Sequence, residues 1–346
     1  MNKKKLLVQS SSTDASTNDV LDWLYYLSGG DYAVVRLNDT GYIRSVTVQM
    51  NNREQRICLA TQDRELYLDE LDSRWYRRGR LSLPAATFTK TDAETFALAL
   101  HTRRYVDAET DVVCNFIENN LDRYTASLNR QADDGINKLD LLQLAAELGI
   151  SIPDTLVTNE RQALLAFGLK YPMLVTKSLG RNAFTCPLEQ AGSVKLGMGT
   201  VLINAADINT LYAAAGGPLA LPALYQQYVD KQLELRIFYL DGAFYPMAIF
   251  SQADARTRVD FRHYDPARPN RCVPYQLPEP VERKLDALMQ HAGLTSGSVD
   301  MILTPDNDYV FLEVNPVGQF QWLARNCNYD IDRQIAAYLL NGYDDE

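Results

Sequence analysis

Oxygen-bearing side chains with the spacing of a metal site lie near the C-terminal end of the sequence. Asp300 stands in one apolar run, and Glu313 and Asn315 stand two residues apart in the next. The polar stretch 305–308 between the runs predicts a turn, so the two runs form an antiparallel hairpin. Because strand side chains alternate between faces, Glu313 and Asn315 share a face, and Asp300 can lie beside them. Two carboxylates and an amide oxygen suit Mg²⁺ that phosphate oxygens help to hold.

A solvent-exposed hairpin face is the alternative interpretation of these polar residues. Both runs are otherwise apolar, with Val299 and Ile302 in the first and Leu312 and Val314 in the second. Ionised groups among such neighbours need a partner, because an unpaired charge is costly to bury. The apolar surroundings therefore favour the metal site.

The segment from Tyr225 to Tyr239 is a second candidate site. A strand that breaks off and resumes there exposes backbone groups that can bind an adenine edge. Glu234 can accept hydrogen bonds from ribose hydroxyls, and Arg236 can bind phosphate oxygens through two nitrogens. A surface ion pair between Glu234 and Arg236 is the alternative.

Lys177 is a third candidate, since it ends an apolar strand and precedes a glycine-bearing segment, 180–199, that predicts a loop. A lysine there can neutralise phosphate charge, and such a loop can cover a nucleotide and exclude water. Lys138, at the start of a predicted helix, is a weaker candidate for a nucleotide contact. The sequence has no Gly-x-x-x-x-Gly-Lys-Ser/Thr motif, which excludes a P-loop.

The elements around these residues fall into three predicted domains. Residues 1–128 predict an α/β domain that ends with two helices, 91–104 and 112–128. Residues 129–220 contain both lysines, and residues 221–346 contain the broken strand and the hairpin. Further strands and helices are predicted at 6–8, 32–37, 139–148, 155–158, 160–167, 173–177, 235–240, 243–249, 280–292, 299–304, 309–314 and 331–340.

The composition excludes several classes of function. The chain has 346 residues, and 34 Lys and Arg against 44 Asp and Glu give a net charge of −10. This charge argues against sequence-independent binding to nucleic acid or to an anionic membrane. Five scattered cysteines without a Cys-x-x-Cys pair, and only three histidines, argue against a disulfide framework and a zinc site. A basic N-terminus without a following apolar run does not predict a signal peptide, so a cytoplasmic protein is expected.

The order of these motifs is a lysine at a strand end, a glycine-bearing loop, a broken strand with Glu and Arg, and then Asp…Glu-x-Asn. This order resembles the ATP-grasp superfamily, in which two α+β subdomains hold ATP between them. Further segments extend the resemblance over nearly the whole chain: 16–24, 75–79, 234–239, 260–262 and 311–319. They are similar to the graspetide (microviridin-type) synthetases, the ATP-grasp peptide maturases of grasp-with-spasm systems. The resemblance implies a mixed α/β and α+β chain, with an N-terminal α/β (pre-ATP-grasp) domain before the ATP-grasp fold.

The resemblance also implies an activity. An ATP-dependent ligase would activate Asp or Glu side chains of a ribosomally made precursor peptide, and a Thr or Ser hydroxyl (or a Lys amine) would close an ω-ester or ω-amide macrocycle. ATP and Mg²⁺ are the implied cofactors, and a homodimer without nucleic-acid or membrane partners is expected. The match by position implies nucleotide contacts for Lys138, Lys177, Gln227, Tyr228, Val229 and Glu234, and Mg²⁺ binding for Asp300, Glu313 and Asn315. It also implies that Arg236 and Arg262 are catalytic, and that Asp260, Arg262, Arg77 and Arg78 contact the substrate.

Some assignments stay open at this level. Gln227 stands where the family pattern has Glu, which keeps an amide for adenine but removes a charge, and the irregular loop after Lys177 leaves the contacts of Lys195 unassigned. Arg77 and Arg78 belong to a basic-aromatic patch, 74–80, for which a structural, interdomain role competes with recognition of an acidic peptide. Two other functions remain: an ATP-grasp ligase that adds glutamate or another amino acid, and a non-catalytic ATP- or peptide-binding protein.

Overall fold

The computed structural model describes residues 3–11, 13–37, 43–79, 81, 83, 93–180, 183–188, 192–197, 199–214 and 221–341. The N-terminal region contains β1 (Lys4–Gln9), α1 (Ala15–Ser28), β2 (Tyr32–Leu37), β3 (Ser45–Met50), β4 (Gln55–Ala60), β5 (Glu65–Tyr67), β6 (Ser73–Tyr76), α2 (Ala93–Tyr124) and β7 (Ala126–Leu128). A parallel sheet with the strand order β2-β1-β6-β7 forms its centre, and β3, β4 and β5 form a separate antiparallel sheet. The apolar run Leu6–Val8 is fully buried in the central strand β1, as its composition predicts.

The end of this region differs from the prediction. The two predicted helices are one continuous helix, α2, and the last residues of the second form the strand β7. Most described residues of α2 between 101 and 113 are exposed, so this stretch has no apolar face that packs on the core. Because this stretch has no apolar face, its hydrophobic residues do not recur at the helical period, and the sequence therefore wrongly predicts two helices with a gap between them.

The central region contains α3 (Gln131–Asp134), α4 (Lys138–Glu147), β8 (Thr155–Thr158), α5 (Arg161–Lys170), β9 (Met173–Lys177), β10 (Ala183–Leu188), β11 (Gly192–Gly197), β12 (Val201–Asn204), α6 (Ile208–Ala214) and β13 (Ala223–Gln227). Four of the strands form an antiparallel sheet in the order β12-β9-β13-β8, and Leu164 and Ile208 from the two helices pack against it. The segment predicted as a loop after Lys177 is a hairpin, since β10 pairs with β11. Because β11 begins and ends with glycine, which is uncommon inside strands, its sequence does not have the pattern of a strand.

The C-terminal region contains β14 (Leu233–Leu240), β15 (Ala243–Ile249), β16 (Cys272–Pro274), α7 (Glu279–His291), β17 (Ser296–Leu303), β18 (Tyr309–Asn315), α8 (Gln321–Cys327) and α9 (Ile331–Asn341). Its antiparallel sheet has the order β16-β15-β14-β17-β18. The chain passes from the central sheet to this sheet between β13 and β14, so the crossing lies at 228–232, beyond the boundary predicted at residue 220.

The two faces of the C-terminal sheet have different roles. One face is apolar and is covered by α4 and α7, with Leu142, Leu288 and Met301 in the shared core. On the other face, Phe238 and Leu240 of β14 pack against α8, α9 and the N-terminal region. Earlier along the same face of β14 the side chains are polar, and there the face borders a cleft between the regions.

Candidate active site

The hairpin formed by β17 and β18 carries the predicted metal ligands. Asp300 pairs across the hairpin with Glu313, and Ser298 pairs with Asn315, so these four side chains share one face of the sheet. The two carboxylates and the amide that the sequence predicted for one site therefore lie together on the cleft side.

A register shift in this hairpin separates the polar residues from the core. Directly after Asp300 the pairing moves by one residue, because Met301 pairs with Phe311 and leaves Leu312 as an extra residue in β18. Without the shift Phe311 would share the face of Glu313, two residues away. With it, Phe311 is fully buried on the opposite, apolar face.

Two lysines from other elements converge on Glu313. Lys138 in the first turn of α4 lies with its Nζ 3.2 Å from Glu313 Oε2, and Lys177 at the end of β9 lies with its Nζ 3.0 Å from the same oxygen. Burial alone would raise the pKa of Glu313, but the charges of Lys177 and Lys138 outweigh it and lower the pKa to about 2. The predicted metal ligand and the predicted phosphate contacts thus meet at one point.

Arg236 is the cation beside Asp300. The two residues face each other on β14 and β17, and Arg236 Nη1 donates to both carboxylate oxygens of Asp300, at 3.0 and 2.8 Å. Burial raises the pKa of Asp300; the charge of Arg236 opposes this effect, and that of Glu313 adds to it. Arg236 is only 8% exposed, and its Nε has no hydrogen-bond partner within the described residues.

Glu234 lies on the same face of β14, two residues before Arg236. Its Oε1 accepts hydrogen bonds from Lys231 Nζ at 2.9 Å and from Ser251 Oγ at 2.7 Å. Burial raises the pKa of Glu234, although Lys231 opposes the shift. The surface pair between Glu234 and Arg236, an alternative interpretation of the sequence, is not formed, since both side chains are buried and each has another partner.

The crossing between the two sheets holds the predicted adenine contacts. Tyr228 and Val229 follow the end of β13 and line the cleft together with Gln227. Gln227 is held by Asp154: its backbone N–H donates to the Asp154 carbonyl at 2.9 Å, and its Oε1 accepts from the Asp154 N–H at 3.4 Å. Gln227, which stands where the family pattern has Glu, therefore connects the crossing between the sheets to the residue that precedes β8.

Arg262 is the most accessible arginine of the site, with 53% of its side chain exposed. Asp260 begins a short 3₁₀ turn, accepts from the backbone N–H of Arg262 and binds its guanidinium through both carboxylate oxygens, at 2.8 and 2.5 Å. Burial raises the pKa of Asp260, but the hydrogen bonds from Arg262 outweigh this and lower it. Asp260 thus orients a cation that still faces the open cleft.

The cleft between the regions has a volume of about 1760 Å³. Twelve of the predicted site residues line it: Lys138, Lys177, Gln227, Tyr228, Val229, Glu234, Arg236, Asp260, Arg262, Asp300, Glu313 and Asn315. The sequence motifs, scattered over half of the chain, are therefore brought to one cavity.

Arg77 and Arg78 are absent from this lining. Arg77 is 2% exposed and binds Gln319 Oε1 through Nη2 at 3.0 Å, and both arginines reach the Asp14 carboxylate through Nε, at 3.3 and 3.1 Å. The peptide contact predicted for Arg77 does not fit this environment, because its side chain is buried and already contacts Asp14 and Gln319. The structure favours the interdomain role for Arg77.

Sequence reasoning missed residues that position or enclose the predicted site residues. Lys231 stands three residues before Glu234, a spacing that signals a pair, but Ser251 reaches Glu234 only through the pairing of β14 with β15. The stacked rings of Phe261 and Trp322, 5.9 Å apart, form one wall of the cleft, and nothing local in the sequence connects them.

The donor set fits Mg²⁺ that is partly held by phosphate. The described residues contain no group of three His, Cys, Asp or Glu side chains that could hold a metal ion. Asp300, Glu313 and Asn315 instead offer two carboxylates and one amide oxygen on one face, which is the hard-oxygen set that Mg²⁺ takes when a nucleotide completes its shell.

Comparison with known proteins identifies the fold of the chain. No protein-family model and no curated protein matches the chain. A RiPP-associated ATP-grasp ligase of Chryseobacterium gregarium, solved with ADP and a leader and core peptide, is 22% identical over 98% of this chain and 97% of that chain, with a TM-score of 0.77. The macrocyclase MdnC of Microcystis aeruginosa MRC, bound with precursor peptide MdnA, is 26% identical over 97% and 99%, with a TM-score of 0.72. The ATP-grasp ligase PsnB, complexed with a minimal precursor, Mg and ADP, is 17% identical over 97% of both chains, with a TM-score of 0.68. These matches confirm the predicted fold and resemblance: the chain has the ATP-grasp fold, with the architecture of the RiPP-associated ATP-grasp ligases.

Proposed function

We propose that this protein is an ATP-dependent ligase that closes macrocycles within a ribosomally made precursor peptide. The observation that carries the proposal is the cleft, where Lys138, Lys177 and Arg236 surround the carboxylates of Asp300 and Glu313. The match over nearly the full chain to ligases solved with nucleotide and precursor peptide supports the same reaction.

The charges of the cleft suit activation of a carboxylate. A carboxylate is a poor electrophile, so its oxygen first takes the terminal phosphoryl group of ATP, which releases ADP and leaves an acyl phosphate on the peptide side chain. A Thr or Ser hydroxyl then attacks the acyl carbon, the bond from that carbon to the phosphate oxygen breaks, and the hydroxyl proton leaves with the inorganic phosphate as the ester forms. Both steps develop negative charge on phosphoryl and carbonyl oxygens, which fixed cations stabilise.

Individual residues take separate parts in this scheme. Lys138 and Lys177 would bind the ATP phosphates, and Glu234 and the 227–229 crossing would bind the ribose and adenine. Arg236 and Arg262, the second of which is oriented by Asp260, would meet the phosphoryl group and the activated carboxylate.

Magnesium fits the part of the site on the hairpin of β17 and β18. Asp300, Glu313 and Asn315 would hold Mg²⁺, which when bound screens the phosphate charge. Lys138 and Lys177 would then turn from Glu313 towards the phosphate oxygens.

Mass spectrometry of a peptide substrate tests the proposal. The first candidate is any short open reading frame beside the gene that encodes a peptide rich in Thr or Ser and Asp or Glu near its C-terminus. With ATP and Mg²⁺ the peptide should lose the mass of one water per link, and Glu313→Gln, checked for folding by its melting temperature, should not produce this loss. A peptide that gains an amino-acid residue would replace the proposal by a residue-adding ligase, and nucleotide binding without turnover would replace it by a binding protein.

The expected assembly and location belong to the same proposal. We expect a homodimer in the cytoplasm that binds no nucleic acid, as the family resemblance and the net charge predict, and light scattering of the purified protein measures the first directly. Among the described residues no helix has the length and apolar content needed to span a membrane.

A further inference from the structure

The segment 316–319 connects the predicted metal ligands to the N-terminal region. It directly follows Asn315 at the end of β18, and the Gly318 N–H donates to the Asn315 carbonyl at 3.0 Å. Its carbonyl groups accept hydrogen bonds from residues nearly 200 or more positions away: Asn129 Nδ2 binds the Pro316 carbonyl at 3.3 Å, and Arg77 Nη1 binds the Val317 carbonyl.

Arg77 makes several contacts with this part of the chain. Besides the Val317 carbonyl it binds the side chain of Gln319 at 3.0 Å, and its guanidinium lies 5.4 Å from the centre of the Phe320 ring. One arginine of the N-terminal region therefore binds three of the five residues that follow Asn315. These long-range contacts fix the conformation of the segment.

The opposite side of the segment lies against Arg236. Arg236 Nη2 donates to the Gln319 carbonyl at 3.5 Å, and Ser298 Oγ donates to the same carbonyl at 3.5 Å. The packing is tight at Gly318, where an added Cβ would lie 3.0 Å from Arg236 Nη2 and 2.5 Å from Ser298 Cβ. A movement of the segment would therefore be transmitted directly to the guanidinium that binds Asp300.

Arg77 is itself held in place from the N-terminal side. Asp14 caps the first turn of α1 through the Ser16 N–H, and its other oxygen lies 3.3 Å from Arg77 Nε. Burial lowers the pKa of Arg77 to about 10, despite the opposing charge of Asp14, so the side chain remains cationic at neutral pH. A charge buried at the boundary of two regions is costly unless it has partners, and both Nη1 and Nη2 of Arg77 donate to the segment.

We propose that Arg77 is a positioning residue for the ligase reaction: by holding the 316–319 segment, it sets the place of Arg236 and of Asn315 in the cleft. The inference rests on the proposed function, since Arg236 and Asn315 matter through that chemistry. Loss of a residue that orients a metal ligand or a catalytic group typically lowers activity about 10–100-fold, and we expect a loss of this size in kcat rather than in KM.

Matched arginine variants test the inference. Arg77→Met removes every contact to the segment, whereas Arg77→Lys keeps a charge and one donor. Arg130→Met is the control, because Arg130 also donates to a carbonyl of the C-terminal region, that of Gly293 at 3.2 Å, but does not touch the segment. Each variant is compared with the wild type for kcat and KM on the peptide, for melting temperature, and for amide exchange over residues 316–320, all of which except Pro316 have an amide hydrogen.

The expected pattern is specific to positioning. Arg77→Met should lower kcat about 10–100-fold, leave the KM for ATP nearly unchanged, and speed amide exchange at 316–320, while Arg77→Lys recovers part of kcat. Arg130→Met should change neither. Wild-type kcat in Arg77→Met, or lost kcat with unchanged exchange at 316–320, would overturn the inference; if Arg77→Met does not fold, Arg77→Lys decides by the same two measurements.

Failure of the proposed function would be recognised separately. If the wild type forms no macrocycle, the reaction assignment fails, and the position of the site is then followed by Mn²⁺ binding in the presence of ADP. Weaker Mn²⁺ binding with faster exchange in Arg77→Met would still support the positioning role, and unchanged values of both would reject it.

Discussion

Gly318→Ala is the smallest change that should displace Arg236. The added Cβ would lie 2.5 Å from both Cβ and Oγ of Ser298 and 3.0 Å from Arg236 Nη2, whereas unbonded carbon atoms pack about 3.5–4.0 Å apart. Ser298 is fully buried in β17 and paired on both sides, so it cannot yield. The 316–319 segment or the Arg236 side chain must therefore move by about 1 Å, the shortfall from an ordinary contact.

The displacement should cost both stability and activity. Overpacking of this kind typically lowers the free energy of unfolding by about 1–3 kcal/mol, which corresponds to a lower melting temperature by several degrees. A misplacement of about 1 Å in an active site can lower the rate about 100-fold. We expect kcat for macrocycle formation to fall by about this factor, because Arg236 loses its alignment with Asp300.

Steady-state kinetics and thermal unfolding measure the two effects, and Gly168→Ala provides the control. Gly168 lies on α5 away from the cleft, and a Cβ there would meet Ala205 Cβ at 2.9 Å and Ile208 Cδ1 at 3.0 Å, a comparable clash. It should lower the melting temperature but leave kcat unchanged below the transition. The double variant Ser298→Gly with Gly318→Ala should recover stability; wild-type kcat in Gly318→Ala, or an equal loss of kcat in Gly168→Ala, would refute this reasoning.

Three further predictions concern the charges of the cleft. Lys177→Met should weaken ATP binding about 10-fold or more, the size of a lost charge-assisted hydrogen bond, with calorimetry as the measurement and a single cooperative thermal unfolding transition as the sign of an intact fold. Glu313→Gln should lower the unfolding free energy of the ligand-free protein at pH 7 by about 3 kcal/mol. In the wild type the folded-state pKa of Glu313, about 2, lies below the ordinary 4.5, so its stabilisation is full above about pH 4.5 and is lost as the pH falls through about 2. Equal stability of variant and wild type in urea denaturation at pH 7 would contradict this prediction. Arg262→Lys should lower kcat on the peptide more than it weakens ATP binding, since Lys keeps the positive charge in the cleft but cannot reproduce the two bonds of Arg262 to Asp260.

Local patterns predicted the parts of the site that depend on one element. Strand alternation placed Glu313 and Asn315 on one face, and the turn at 305–308 brought Asp300 beside them. Lys177 was predicted because it ends a short apolar strand, and the helix carrying Lys138 begins where Asn137 caps it. In each case the signal lies within a few residues of the functional group.

Contacts between distant parts of the chain were beyond such patterns. Arg77 and Val317 are separated by 240 positions, so the basic-aromatic patch offered no sign of which carbonyl it would bind. The register shift at Leu312 depends on which face Phe311 must bury, and only the complete sheet determines that. The buried partner of Glu234, Ser251, likewise depends on the pairing of β14 with β15.

The charge of the whole chain and the charge of its cleft lead to different conclusions about binding. A net charge of −10 opposes long polyanions, which contact a broad surface and require many cations. At physiological ionic strength, however, exposed charges act over only about 8 Å, so a single nucleotide in the cleft would experience mainly Lys138, Lys177, Arg236 and Arg262. Each of these is paired with Glu313, Asp300 or Asp260, which keeps the side chains ordered and the site nearly neutral before a ligand enters. An acidic protein can therefore bind a triphosphate, because the cations that matter are few, partly buried and held in place by carboxylates, two of which would also hold the metal.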